Sequence, residues 1–157
     1  MATKSIPDGY HTVTPYLIVN AAAQALEFYK QAFNATELMR LTDPVGKIGH
    51  AEFKVGNSPI MIADEVPEMG FRSPQTLGGS PVSLMLYVED VDAQFNQAIA
   101  SGGKSVRPVE DQFWGDRSGT LEDPYGHVWT IATHKQDVPP DEIEKRFEAA
   151  MKQPNAA

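Results

Sequence analysis

One order of elements occurs twice in these 157 residues, and that repetition restricts the fold more than any single motif. The stretch TPYLIV (Thr14 to Val19) has the apolar content of a short strand, and Asn20 stands where a helix cap is wanted. Ala22, Leu26, Tyr29 and Phe33 then form one apolar stripe, predicting a helix over 21–33. Thr36 to Thr42 reads as a strand stopped by Asp43-Pro44, and His50 to Val55 with Pro59 to Ala63 as a hairpin around Gly56-Asn57-Ser58. The second half repeats this: a strand over Ser83 to Val88, Asp90 as a cap, and a helical stripe of Val91, Phe95, Ala98 and Ile99 ending at Gly102-Gly103. A strand over Lys104 to Val109 and the hairpin DRSGTLEDPYGHVWTIATH (Asp116 to His134) complete it.

Laying Val19 on Val88 gives an offset of 69 residues, which also lays Thr14 on Ser83, Asn57 on Gly126 and Ile62 on Ile131. Turn falls on turn and apolar position on apolar position. The expected class is α+β, with two tandem β-α-β-β-β units over 9–72 and 82–135 joined by the linker 73–81 in one compact domain. An amphipathic helix over 139–153 follows, begun by Pro139-Pro140-Asp141-Glu142 and carrying Ile143, Phe147, Ala150 and Met151 on one face.

Composition excludes several functions. With no cysteine, thiol nucleophiles, disulfides and zinc–cysteine sites are out. Thirteen basic against 21 acidic residues give a net charge of −8, which repels phosphate backbones and anionic lipid heads, so neither nucleic acid nor membrane is an expected partner. The opening MATKSIPDGYHT carries no apolar run of a signal peptide, and a cytoplasmic location is expected. Gly103-Lys104-Ser105 lacks the earlier glycine of a P-loop, and no G-x-S-x-G elbow occurs.

The segments TPYLIVNAAAQALEFYKQAF, GHAEFKVGNSPIMIADE, FWGDRSGTLEDPYGHVWTIATH and DEIEKRFEAAM, together with the doubled unit, resemble the vicinal-oxygen-chelate superfamily of glyoxalases, bleomycin-resistance proteins and dioxygenases, most closely its PhnB-like branch. The resemblance implies a curved mixed sheet around a cleft with helices outside, and a homodimer. It also implies that catalytic members hold a divalent ion with four side chains, which would fall here on Thr14, Met61, Ser83 and Thr130. Hydroxyls and a thioether are poor donors for such an ion, so the usual metal site is not expected.

Strand alternation gives the rest of the cleft. With Leu17, Val19, Ile60, Ile62, Leu84, Leu86, Trp129 and Ile131 toward the helices, the opposite face offers Thr14, Tyr16, Ile18, Met61, Ala63, Ser83, Met85, Tyr87, Val128, Thr130 and Ala132. His50 and Glu52, at i and i+2 on a strand, share that face and form the candidate catalytic pair, imidazole as base and carboxylate as its orienting group. Tyr16, Met61, Ser83, Met85, Tyr87 and Thr130 are candidate ligand-binding residues, joined by Trp114 at the rim and by Arg117 as a grip for an anionic group. His11, His127 and His134 read as ordinary surface histidines, and the DPYG hairpin as primarily structural.

The expected function is metal-independent binding of a small organic molecule in an apolar cleft, with no cofactor. A metal-dependent lyase, isomerase or dioxygenase with a divalent ion relocated to His50 and Glu52 is the alternative, and a scaffold with a vestigial cleft is a third.

Overall fold

The computed structural model describes residues 2–153. β1 (Tyr16–Val19), α1 (Ala22–Phe33), β2 (Thr36–Thr42), β3 (Ile48–Val55) and β4 (Ser58–Asp64) make the first unit. A 3₁₀ turn (Pro67–Met69) and a short helix α2 (Pro74–Leu77) lead to the second, composed of β5 (Ser83–Tyr87), α3 (Val91–Ala100), β6 (Lys104–Asp111), β7 (Asp116–Glu122) and β8 (Val128–His134). Helix α4 (Pro140–Lys152) follows. The α+β class, the doubled unit and the added C-terminal helix are all present. No helix among the described residues is long and apolar enough to cross a membrane.

Each unit folds its strands into a four-stranded mixed sheet, in the orders β1-β4-β3-β2 and β5-β8-β7-β6. First and last strands pair in parallel, with Tyr16 opposite Met61 in one sheet and Met85 opposite Thr130 in the other. The 69-residue offset carries the first register onto the second.

One core serves both sheets. Helix α1 buries Ala22, Ala25, Leu26, Phe28, Tyr29, Ala32 and Phe33. The Tyr29 ring stacks on Phe53 of β3 at 5.1 Å and meets Trp129 of β8 at 5.4 Å, so one side chain touches both sheets. Helices α1 and α3 pack together. Gln94 and Gln97 of α3 donate amide hydrogens to the carbonyls of Ala32 and Gln31, at 2.6 and 2.7 Å.

Two local expectations change. Asn20 does not cap α1: the N-cap position is Ala21, which supplies no side-chain bond. The free Ala22 N–H instead donates to Asp64 at the end of β4, at 2.8 Å, which does a cap's work from across the sheet. His127 is no free strand start either, because its Nε2 lies 3.1 Å from the Ile18 carbonyl oxygen and links the second hairpin to β1. Asp90 does cap α3, accepting from Ala93 N–H at 3.0 Å. Helix α4 buries no residue fully; it rests on the body through Phe147 against Phe113 and an Arg146 bond to the Phe113 carbonyl, leaving Phe147 52% exposed.

Both sheets turn their helix-side faces into this shared core, which leaves each with an opposite, open face. The residues expected to line a cleft lie on those two open faces.

Candidate ligand site on two open sheet faces

The first open face is built by β1, β4, β3 and β2. Alternation puts Tyr16 and Ile18, Met61 and Ala63, and His50 and Glu52 on it, as the strand pattern required. The β2–β3 register adds Met39 opposite Glu52 and Leu41 opposite His50, two residues the sequence reading left out. His50 and Glu52 meet, Nε2 to Oε1, at 3.0 Å. Tyr16 reaches His50 Nδ1 at 2.7 Å, and Tyr10, from the segment before β1, donates its hydroxyl to Glu52 Oε2. Four side chains thus form one hydrogen-bonded chain.

Its electrostatics follow from its geometry. The hydrogen bonds from Tyr10 and His50 hold the Glu52 carboxyl below the usual carboxylate range. The same bond pushes the Tyr10 phenol up to about 12. Burial, and then the Glu52 charge, raise Tyr16. Cavities flank the chain on both sides. One of about 410 Å³ is lined by Tyr16, Ile18, Ile48, Ala63, Met69 and Phe71 among others. The other, about 500 Å³, is lined by Ile6, Tyr10, Thr14, Glu52 and Met61 among others.

The second open face carries Ser83, Met85 and Tyr87 of β5 with Val128, Thr130 and Ala132 of β8. Strand β7 contributes residues the sequence reading did not assign: Thr120, whose hydroxyl lies 2.9 Å from that of Thr130, and Asp116, only 4% exposed. Asp116 accepts from Tyr87 at 2.9 Å and from the Trp114 indole at 3.2 Å, and it lies 2.7 Å from His134 Nδ1. Burial pushes its carboxyl up, but the bonds from His134, Tyr87 and Trp114 outweigh that and leave it below its ordinary value. The half-exposed His134 joins Asp116 to Asp137, 2.8 Å from its Nε2. A signal for this pair was in the sequence: residues 116 and 134 lie equally far from Tyr125 at the centre of the hairpin, and β7 pairs with β8 with Asp116 opposite His134.

Arg117, expected at a ligand's anionic group, is held elsewhere. Next to Asp116 on β7 its side chain takes the helix side, where it binds both oxygens of Asp92 at 2.8 and 2.9 Å and Asp111 at 3.2 Å. Trp114 packs edge-on against Phe113, with ring centroids 5.0 Å apart.

The donors at the four metal positions do not fit a borderline divalent ion. They are two threonines, a serine and a methionine, two from each unit, and Thr130 already bonds Thr120. At the alternative position both His50 nitrogens have partners, Tyr16 and Glu52, and no group of three or more His, Asp or Glu side chains suited to a metal occurs among the described residues.

Comparison with known proteins places this geometry. The family model of the Glyoxalase/Bleomycin resistance protein/Dioxygenase superfamily matches residues 10–131. The chain is 44% identical over 135 residues to the uncharacterized protein Mb0911c of Mycobacterium bovis, covering 84% of this chain and 89% of that one. Among solved structures it is similar to TioX from Micromonospora sp. ML1, with a TM-score of 0.63, 26% identity, and coverage of 79% of this chain and 98% of TioX. It shares its fold with a PhnB protein from Bacillus cereus at a TM-score of 0.62, 21% identity, and coverage of 78% of this chain and 99% of that one. The doubled unit, the paired four-stranded sheets and the family match together make this chain a member of the glyoxalase/bleomycin resistance protein/dioxygenase superfamily.

Proposed function

We propose that this protein binds a small organic molecule in a cleft completed by two copies of the chain. The β1–β4 face of one copy and the β5–β8 face of the other form its walls, without the four-ligand metal ion of catalytic relatives. Sequestration of a toxic or antibiotic compound is the role such a cleft would serve.

The observation that carries this reading is the matching content of the two open faces. Each bears apolar side chains and a hydrogen-bonded chain of tyrosine, histidine and carboxylate, the content of half a ligand site. The opposite faces of both sheets are taken up by one core. A two-fold axis relating two copies would bring unlike faces together twice, making two equivalent clefts. The polar chains would then orient a ligand whose body sits among Ile18, Met61, Met85 and the neighbouring apolar groups.

Two measurements test it together. Elemental analysis of protein purified without chelator should give well under one metal equivalent per chain, before and after incubation with nickel, zinc, manganese and ferrous iron. Sedimentation should give a particle of two 17.2 kDa chains. One firmly held metal per chain, lost in His50→Ala, or a monomer at micromolar concentration, would contradict the proposal.

A further inference from the structure

The hydrogen-bond chain on the first open face has a direction. Both Glu52 oxygens accept, Oε2 from the Tyr10 hydroxyl and Oε1 from His50 Nε2. An ionised carboxylate offers only lone pairs, so Nε2 carries the imidazole hydrogen. In the neutral ring Nδ1 is then bare, and the group 2.7 Å from it is the Tyr16 hydroxyl, which must supply the proton. A phenol has one hydrogen. With that hydrogen turned toward His50, the Tyr16 oxygen presents only lone pairs to whatever lies beside it.

Beside it is the cavity of about 410 Å³, whose apolar lining includes Ile18, Ile48, Met69 and Phe71. That volume suits a ligand of one or two fused rings. The charged side chains on the same lining are unbalanced, with Asp43, Asp64 and Glu65 against Lys47. All three carboxylates are fixed by the backbone, Asp43 by the N–H groups of Val45 and Lys47 at 3.0 and 2.8 Å. Asp64 accepts from the N–H groups of Ala22 and Ile48, and Glu65 from the Ser73 N–H, with the Thr76 hydroxyl added. They set acidic groups around an apolar space, and the aromatic rings of Tyr16 and Phe71 on the same lining also attract a cation.

Resting on the binding reading above, we infer that this wall of the cleft selects a hydrophobic amine: a flat apolar body in the cavity, with its ammonium group donating to the Tyr16 oxygen. Glu52 and Tyr10 are positioning residues in this scheme. They hold His50 in the tautomer that makes Tyr16 an acceptor. An anionic ligand of the same shape meets repulsion from the carboxylates and finds no donor at Tyr16. A neutral one of the same shape gains burial alone.

Three naphthalene probes of nearly equal size separate these terms: 1-(aminomethyl)naphthalene, 1-methylnaphthalene and 1-naphthoic acid, titrated calorimetrically into the full chain near neutral pH. The amine should bind at least about 10-fold more tightly than either of the others, as a charge-assisted hydrogen bond implies. Tyr16→Phe should weaken the amine by about 10-fold and leave the hydrocarbon unchanged, since only the hydroxyl is lost. His50→Ala should narrow the gap between amine and acid, because it releases the Tyr16 proton to donate outward; a merely structural histidine would weaken all three probes alike. Equal binding of acid or hydrocarbon, or an amine preference that survives Tyr16→Phe, would overturn the amine assignment while leaving a ligand cleft in place. Failure of all three probes to bind would overturn it as well, and the metal and sedimentation measurements decide the cleft separately.

Discussion

At Asp123 two backbone amides and two side-chain donors converge on a carboxylate that is 3% exposed. Tyr125 and His127 donate backbone N–H groups to Oδ1 at 2.8 and 3.0 Å, while the Tyr29 hydroxyl and the Trp129 indole donate to Oδ2 at 2.6 and 2.9 Å. Four donors facing two oxygens leave no place for an amide nitrogen. Asp123→Asn should therefore cost roughly 1–3 kcal/mol, measured by chemical unfolding, because one donor is left facing another. The turn role of Asp123 was legible in DPYG; its bond to Tyr29, 94 residues away, was not, because it exists only once the two units pack. His134 makes a prediction in pH. Its bonds to Asp116 and then to Asp137 raise it above its ordinary 6.5. A raised histidine stabilises fully below its unfolded value, and that support is lost as pH rises through the folded value. An NMR titration of His134 should thus show a midpoint above 6.5 that falls back in Asp116→Asn.

Among elements, α1 shows what a single sequence can and cannot indicate. Its apolar stripe was plain at a spacing of three and four, whereas its first turn is completed by Asp64 of β4, a partner 42 residues on that no local pattern announces. Alternation placed His50 and Glu52 on one face because a strand's period is two. It could not supply Tyr10, which arrives from an irregular segment, nor show Arg117 drawn to Asp92 on α3. The junction of α1 and β2 is held by charge: Glu37 binds Arg40 through both oxygens at 2.8 Å and Lys30 at 2.9 Å. Arg40 first, and Lys30 after it, draw the Glu37 carboxyl down to about 2 against the burial that opposes them. A depressed carboxyl stabilises above its unfolded value near 4.5, and that support fades as pH falls toward about 2. Arg40→Ala should move the Glu37 midpoint upward in a carbon-detected titration. The linker makes a tighter prediction. Gly126, at φ +90°, would place a Cβ 2.6 Å from Pro74 at the start of α2, so Gly126→Ala should cost about 1–3 kcal/mol and loosen α2 from the DPYG turn, seen as faster amide exchange there.

For the whole molecule the consequence of the repeat is a division of labour between the two sides of each sheet. The helix-side faces share one core through Tyr29, Phe53 and Trp129, and the open faces keep the candidate site residues. That both units would carry a helix-facing and an open face followed from the periodicity. That the helix-side faces of both units would share one core did not, because the offset fixes each unit and says nothing of how the units dock. If one cleft takes its two walls from two copies, residues of the first open face in one copy lie across it from residues of the second open face in the other. The chain has no cysteine, so single-cysteine variants report cleanly. Met61→Cys places a thiol on the first open face and Met85→Cys one on the second, both on strands whose paired neighbours Tyr16 and Thr130 are candidate site residues. The most direct measurement is cross-linking of an equal mixture of the two variants with a short bis-maleimide at micromolar concentration. A covalent heterodimer should form in the mixture, well above the yield from either variant alone. No dimeric product, or equal yields in all three samples, would contradict the two-copy cleft.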